Sequence, residues 1–278
     1  MKAHSLTRLL GSLYNKPHLI LPESFDVVLD YLVNRNSEAF KFSAEEFEPR
    51  QVGYHNDRIG VLMVDGSLTY KPVMTMCGEA GTSYQSLVAQ VEEMADAGVK
   101  TIVMEVSSGG GEAGHCFEAA ADIRAIADEN GIKLIGYADT YACSAAYALI
   151  AVCDEVVANP SATVGSIGCV VALMDSSKAM EQAGLKRVFI TSGDNKVPFA
   201  ADGSFKQEFL DEIQADVNRL NVEFATHVSE HTGLDVASIM GLQAKVFSAA
   251  EALSLGLVNS VMTSKQFAAH VASKQGTK

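Results

Sequence analysis

Apolar residues recur along this chain in two rhythms that alternate. Ile59-Gly-Val-Leu-Met-Val64, Lys100-Thr-Ile-Val-Met-Glu-Val106, Lys133-Leu-Ile-Gly-Tyr137 and Glu155-Val-Val-Ala158 are short apolar runs, the first closed by Asp65-Gly66. That is the pattern of buried strands. Between them, Ser83 to Ala97 places Leu87, Val88, Val91 and Met94 on one helical face, and Ala113 to Asp128 reads as a second helix. Ala145 to Cys153 is apolar and reads as a buried helix. From Lys206 to His231, Phe209, Ile213, Val217, Leu220, Phe224 and Val228 recur at three- and four-residue steps, a single stripe that predicts a core-packing face. Gly233 is placed to cap that helix. Strands alternating with helices predict an α/β fold built from crossover units around a mostly parallel sheet.

Ahead of Arg58 the pattern differs. Leu9, Leu10 and Leu13, then Phe25, Val28, Leu29, Tyr31 and Leu32, fit two short amphipathic helices separated by Lys16-Pro17 and Pro22. Asn34 to Asn56 is polar and charged, as a linker would be. The expected organisation is a helical N-terminal extension with linker over 1–57, one catalytic domain over 58–265, and a polar C-terminal tail over 266–278.

At 278 residues with 48% hydrophobic composition, the chain can bury a sizeable core. Its net charge of −13, with no clustering of Lys and Arg, argues against nucleic acid as a partner. The five cysteines, Cys77, Cys116, Cys143, Cys153 and Cys169, are odd in number and lack a C-x-x-C spacing. Neither a disulfide framework nor a zinc site is expected, and a reducing cytoplasm fits. No apolar run approaches the roughly 20 residues of a membrane span, and no signal-peptide core follows Lys2 and Arg8. A cytoplasmic protein with no metal and no cofactor is the expectation.

The chemistry concentrates in residues 139 to 168. Ser144 stands among small residues at the start of the apolar helix, where unpaired N–H groups and the helix dipole favour developing negative charge. With a neutral lysine to take its proton, such a serine is a nucleophile. Lysine is neutral at physiological pH only when its pKa falls from about 10.4 to roughly 7–8. Gly109 and Gly110 lie after a strand and before a helix, where a backbone free of side chains can aim N–H groups into a site. A phosphate loop is excluded there by spacing and by Glu112. His115 is the one histidine that rivals the lysine as base, and a polar residue in the first helical turn is its alternative reading. Cys143 is a rival nucleophile without a partner histidine, against the reading of a buried structural thiol. Tyr147 and Val164 are expected to form an uncharged substrate pocket beside Ser144.

Three blocks resemble the signal peptide peptidase A family of serine proteases, most closely the branch that matures bacteriophage heads. They are Glu105-Val-Ser-Ser-Gly109-Gly110-Gly-Glu112, the Ser144 block with Thr163-Val-Gly-Ser166-Ile-Gly, and Ser192-Gly-Asp-Asn-Lys196. The likeness runs from about Arg58 to Val261. Val246 to Val258 also resembles the closing helix and turn of the Clp-protease and crotonase superfamily. The resemblance implies that superfamily's ββα spiral, a Ser144–Lys196 dyad, and an oxyanion hole made by Gly109 or Gly110 with Ala145. It further implies that Ser166 holds the lysine, a turn residue being the equal alternative, and that copies associate to complete the cleft. Ser108 stands where the family has proline and Val106 where it has an acidic residue, which would loosen the glycine loop.

The function expected from this is a serine endopeptidase acting on capsid or scaffold polypeptide. The substrate would lie as an extended strand near Gly109 to Glu112. A peptidase that clears signal peptides, a catalytically silent head component and a crotonase-type acyl-CoA enzyme are the alternatives.

Overall fold

Alternating burial along parallel strands builds the centre of the molecule. A computed structural model describes residues 16–21, 58–75, 78–79, 81–175, 177–186, 188–200 and 203–274. The two expected N-terminal helices, the linker from Asn34 to Asn56, and Cys77 lie outside the described residues.

In chain order the first strands are β1 (His18–Ile20), β2 (Ile59–Asp65), β3 (Leu68–Thr69), β4 (Met74–Thr75), β5 (Gly78–Glu79) and β6 (Thr82–Ser83). Helix α1 (Tyr84–Asp96), β7 (Thr101–Ser108), β8 (Gly110–Glu112), α2 (Cys116–Asn130) and β9 (Lys133–Cys143) follow. Next come α3 (Ala145–Ala151), β10 (Glu155–Ala158), β11 (Thr163–Gly165), α4 (Ser177–Gln182) and a single 3-10 turn, Asp194–Lys196. The chain continues through α5 (Gln207–Thr232), α6 (Val236–Gly241), β12 (Val246–Ser248), α7 (Ala249–Ser254), β13 (Ser260–Val261) and α8 (Ser264–Ser273).

β2, β7, β9, β10 and β13 pair in parallel, in that order across the sheet. β9 changes partner along one edge, pairing with β10 through Ile135–Ala138 and with β11 through Tyr141–Cys143. A second sheet runs β1-β8-β3-β6, with β1 antiparallel to β8. The result is a mixed α/β fold with largely parallel sheets, as the sequence resemblance implied.

The period of two divides the central sheet cleanly. Ile102, Met104, Val106, Leu134 and Ala138 face the main core with α1, α2 and α3. Val103, Ile135, Tyr137 and Val157 face the other way, against Phe267 and Val271 of α8. The Phe267 ring stacks on Tyr137 at 4.1 Å, and burying such a side chain stabilises by about 1.5–3 kcal/mol. Residues 264–273 are therefore a packed helix, which corrects the expected polar tail over that stretch. Only two of its side chains, Phe267 and Val271, are buried, too few large apolar positions to signal a helix.

Two other expectations are revised. β9 runs six residues past Tyr137, because its second half finds β11 to pair with. The stripe of α5 is buried only at its C-terminal end, at Phe224, Ala225, His227 and Val228. Phe209, Ile213, Val217 and Leu220 are half-covered. Gly233 caps this helix in the left-handed region, at φ 74°, as expected. Among the described residues no helix is long and apolar enough to cross a membrane.

Candidate active site

Ser144 joins the end of β9 to the start of α3 in one residue. Its φ of 57° and ψ of −123° lie outside the regions an L-residue favours, a strain that costs of order 1–3 kcal/mol. Two features hold it there. The Ser144 N–H donates to the Gly165 carbonyl at 2.8 Å, and the Ser144 carbonyl accepts the N–H groups of Tyr147 and Ala148 at 2.9 and 3.1 Å. Every residue of α3 is buried, so the helix cannot swing to relieve the turn. A tight strand-to-helix turn of this kind presents one side chain at a helix N-terminus, an arrangement suited to a nucleophile. The Ser144 hydroxyl is fully buried and has no hydrogen-bond partner among the described residues.

The glycine loop packs against this serine. Gly110 has φ 101°, and a methyl group there would stand 2.9 Å from the Cβ of Ser144 and 2.1 Å from the carbonyl oxygen of Leu19. Only glycine fits. Ser108 fixes the loop from below: its hydroxyl donates to the Gly66 carbonyl at 2.6 Å and accepts the Gly110 N–H at 3.1 Å. The residue expected to loosen the loop instead ties it down, because a short hydroxyl reaches both backbones where a proline ring would reach neither. Val106, where an acidic residue was expected from the resemblance, is fully buried in the core.

On the other side lies the turn after β11. Gly165 sits at φ 124°, with the Lys245 carbonyl 2.6 Å from where its Cβ would be, and the Ser166 N–H donates to that carbonyl at 2.8 Å. Ser166 is itself at φ 53° and buried. Ser144, Ala145, Gly109, Gly110 and Ser166 are thus gathered around one turn of backbone.

Lys196 is not part of that group within this chain. It ends the 3-10 turn Asp194–Lys196 and is exposed, while the Ser144 hydroxyl is sealed. The mixed stretch before it exposes large apolar side chains: Leu185 is 61% accessible, Val188 70% and Ile190 98%. A row of stacked rings, Phe189, Phe199, Phe205 and Phe209, with centroids 5.0 to 6.0 Å apart, links this arm to the start of α5.

The remaining candidates sort as follows. His115 precedes α2 at φ 66°, pairs with Glu118 and stacks on Tyr70 at 3.8 Å, so it is occupied elsewhere. The Cys143 thiol is buried and donates to the Thr163 carbonyl at 3.4 Å. Tyr147 is wholly buried, its hydroxyl donated to the Leu257 carbonyl at 2.9 Å, and burial pushes that hydroxyl's pKa far up. Tyr147 is therefore an anchor between α3 and the turn before β13 rather than the wall of an open pocket. Val164 is also wholly buried.

One further component carries no local signal in the sequence. β1 adds antiparallel to β8, with His18 opposite Glu112, Leu19 opposite Gly111 and Ile20 opposite Gly110. Four residues between two prolines, His18 to Leu21, carry no periodic signal, so nothing local announces this strand.

The sequence model described as peptidase family S49 matches residues 126–278. The head-tail preconnector protein GP5 of Enterobacteria phage P21 is 26% identical over 227 residues, which cover 81% of this chain and 45% of that protein. The capsid assembly protease C of Escherichia phage lambda is 26% identical over 225 residues, 80% of this chain and 51% of that protein. The chain spans about half the length of these curated relatives.

Proposed function

Since the chain belongs to peptidase family S49, we propose that it is a serine endopeptidase in which Ser144 attacks the peptide carbonyl and Lys196 takes its proton. The observation that carries this is the Ser144 hydroxyl itself: buried, without a partner, and held on a strained turn against Gly110. A hydroxyl left so costs about 1–3 kcal/mol, which a purely structural serine would avoid by hydrogen bonding.

In this reading the hydroxyl adds to the scissile carbonyl as its proton passes to the neutral lysine amine. The oxyanion is met by the N–H of Ala145 and by that of Gly109, since the Gly110 N–H is already donated to the Ser108 hydroxyl; such donors are worth about 10²–10³ in rate each. The resulting ammonium then protonates the leaving nitrogen; water, giving its proton to the regenerated amine, cleaves the acyl-serine ester, and the ammonium returns a proton to Ser144 Oγ. Ser166 holds the lysine. Because Lys196 lies exposed on an apolar arm, the base reaches Ser144 from a neighbouring copy. Burial between copies is also what neutralises a lysine amine.

The substrate is an extended, flexible segment of a phage capsid or scaffold protein, cut inside the infected cell. The names of the two phage relatives support this assignment. The test is a serine-reactive fluorophosphonate followed by peptide mass mapping. Label on Ser144, lost in Ser144→Ala together with cleavage of an unstructured scaffold substrate, is the expected result. Full activity in Ser144→Ala overturns the reading.

A further inference from the structure

The nucleophile's isolation has a local cause. Leu19 is fully buried in the main core, and Ile20 and Leu21 are 5% and 8% accessible. The methyl position of Gly110 that lies 2.9 Å from the Ser144 Cβ lies 3.0 Å from the carbonyl carbon of Leu19. The backbone of Leu19 and the side chain of Ser144 therefore occupy the same side of the glycine loop.

The strand is gripped along both edges. On one edge it pairs with β8, extended by the Leu21 N–H donating to the Gly109 carbonyl at 2.8 Å and the Ala113 N–H donating to the Pro17 carbonyl at 3.4 Å. On the other, His18 and Val170 exchange both of their backbone hydrogen bonds, at 2.8 and 2.9 Å. A groove that accepts an extended chain through main-chain bonds on two sides, beside a buried and unpartnered nucleophile, is built for a polypeptide strand.

We infer that the groove between β8 and Val170 is the polypeptide-binding channel of this site and that Pro17–Leu21 is its tethered occupant, an intramolecular competitor that must leave before another chain can enter. The inference rests on the peptidase reading for its site. The tether also reports the register. An incoming polypeptide lies antiparallel to Gly109–Ala113, with an apolar side chain where Leu19 sits and the carbonyl of that residue beside Gly110 and Ser144. Being covalently attached, the occupant competes at high effective concentration, so weak contacts suffice to hold the channel closed.

The test measures binding without catalysis. In a Ser144→Ala background, a fluorescent peptide with the sequence Lys16 to Pro22 is titrated against three full-length proteins by polarisation: the parent, Leu19→Glu and Leu21→Pro. Leu19→Glu expels the strand by placing a charge in the core, and Leu21→Pro removes the donor to Gly109 without adding one. The expected result is peptide affinity at least tenfold higher for either variant than for the parent, with the thermal unfolding transition retained. Equal affinity for all three overturns the inference. So does loss of the folded core in both variants, which would make β1 a fixed part of the sheet. Failure of Ser144 to take a fluorophosphonate would sink the peptidase reading and leave the binding result standing, so the two fail separately.

Discussion

His227 Nε2 lies 2.8 Å from the carbonyl oxygen of Ala148, which ties the long helix α5 to the short helix that starts at Ser144. The ring is buried, with Phe117 beside it at 5.2 Å and His231 at 4.8 Å. A neutral imidazole satisfies this contact by donating Nε2–H. Burial, aided by the neighbouring His231 and opposed by the Ala148 bond and Glu230, holds the His227 pKa below its usual value. Burial lowers His231 as well.

Acid is therefore expected to loosen α5. Above about pH 6.5 both histidines are neutral whether the chain is folded or not, and they cost nothing. As pH falls below that value the unfolded chain takes up protons that the fold resists, so stability drops until the lowered folded values are reached. Glu155 adds to the loss at lower pH. Burial pushes its carboxyl up, but Lys274 and His270 outweigh burial and hold it low, so its contribution is lost as it protonates. Thermal midpoints should hold level from pH 8 to about pH 6.5 and fall from there to pH 4. His227→Gln, which keeps a donor for Ala148, should flatten the upper part of that curve.

Gly110→Ala should damage both folding and chemistry. The new methyl must displace the Leu19 carbonyl or the Ser144 side chain, and φ 101° penalises any L-residue by about 1–3 kcal/mol. Urea unfolding should report a loss of that order. Turnover at saturating substrate should fall by about 10²-fold or more, since an oxyanion donor moves with the loop. An unchanged rate would mean the glycine loop takes no part.

Lys196→Arg keeps the charge but cannot supply a neutral amine, so it should lose nearly all turnover. Mixing it with Ser144→Ala tests where the base comes from. If copies share the site, two inactive proteins should together regain a substantial part of the activity that neither has alone. Light scattering on the same mixtures should show an assembly. A monomer at every concentration, or no recovery on mixing, would place the base elsewhere.

Cys143→Ala should leave turnover within about twofold. Its thiol is buried and directed at Thr163, so native protein should also resist alkylation and keep its activity under thiol reagents. Rapid inactivation by such a reagent, blocked by peptide substrate, would transfer the nucleophile's role to the cysteine.

The framework was legible wherever a strand or helix carried its own periodicity. β2, β7, β10, α1, α3 and α5 all stand close to the limits their apolar spacing implies. Legibility failed where pairing is non-local. β1 is three residues long and exists because β8 and Val170 receive it. The second half of β9, Asp139-Thr-Tyr-Ala-Cys143, is too mixed in polarity to announce a strand and is defined by β11. Within the site, Ser144 and Gly110 were readable because small residues and glycines mark backbone constraints directly. The bridging role of Ser108 was not, since a hydroxyl's partners depend on which loops fold beside it. The exposure of Lys196 was equally hidden, because whether a side chain is covered depends on which segments fold over it.

β9 holds the turn at Ser144 through peptide groups, first those of β7 and β10 and then those of β11. Peptide groups are the one chemical feature that every residue supplies alike. The position of Ser144 is thus insulated from most of the sequence: side chains along the strand can drift while the ladder, and the turn at its end, stay where they are. Divergence in this molecule should accumulate on the arm around Lys196 and in the segments that choose partners. The corner at Ser144 can thus keep its backbone while the side chains around it change.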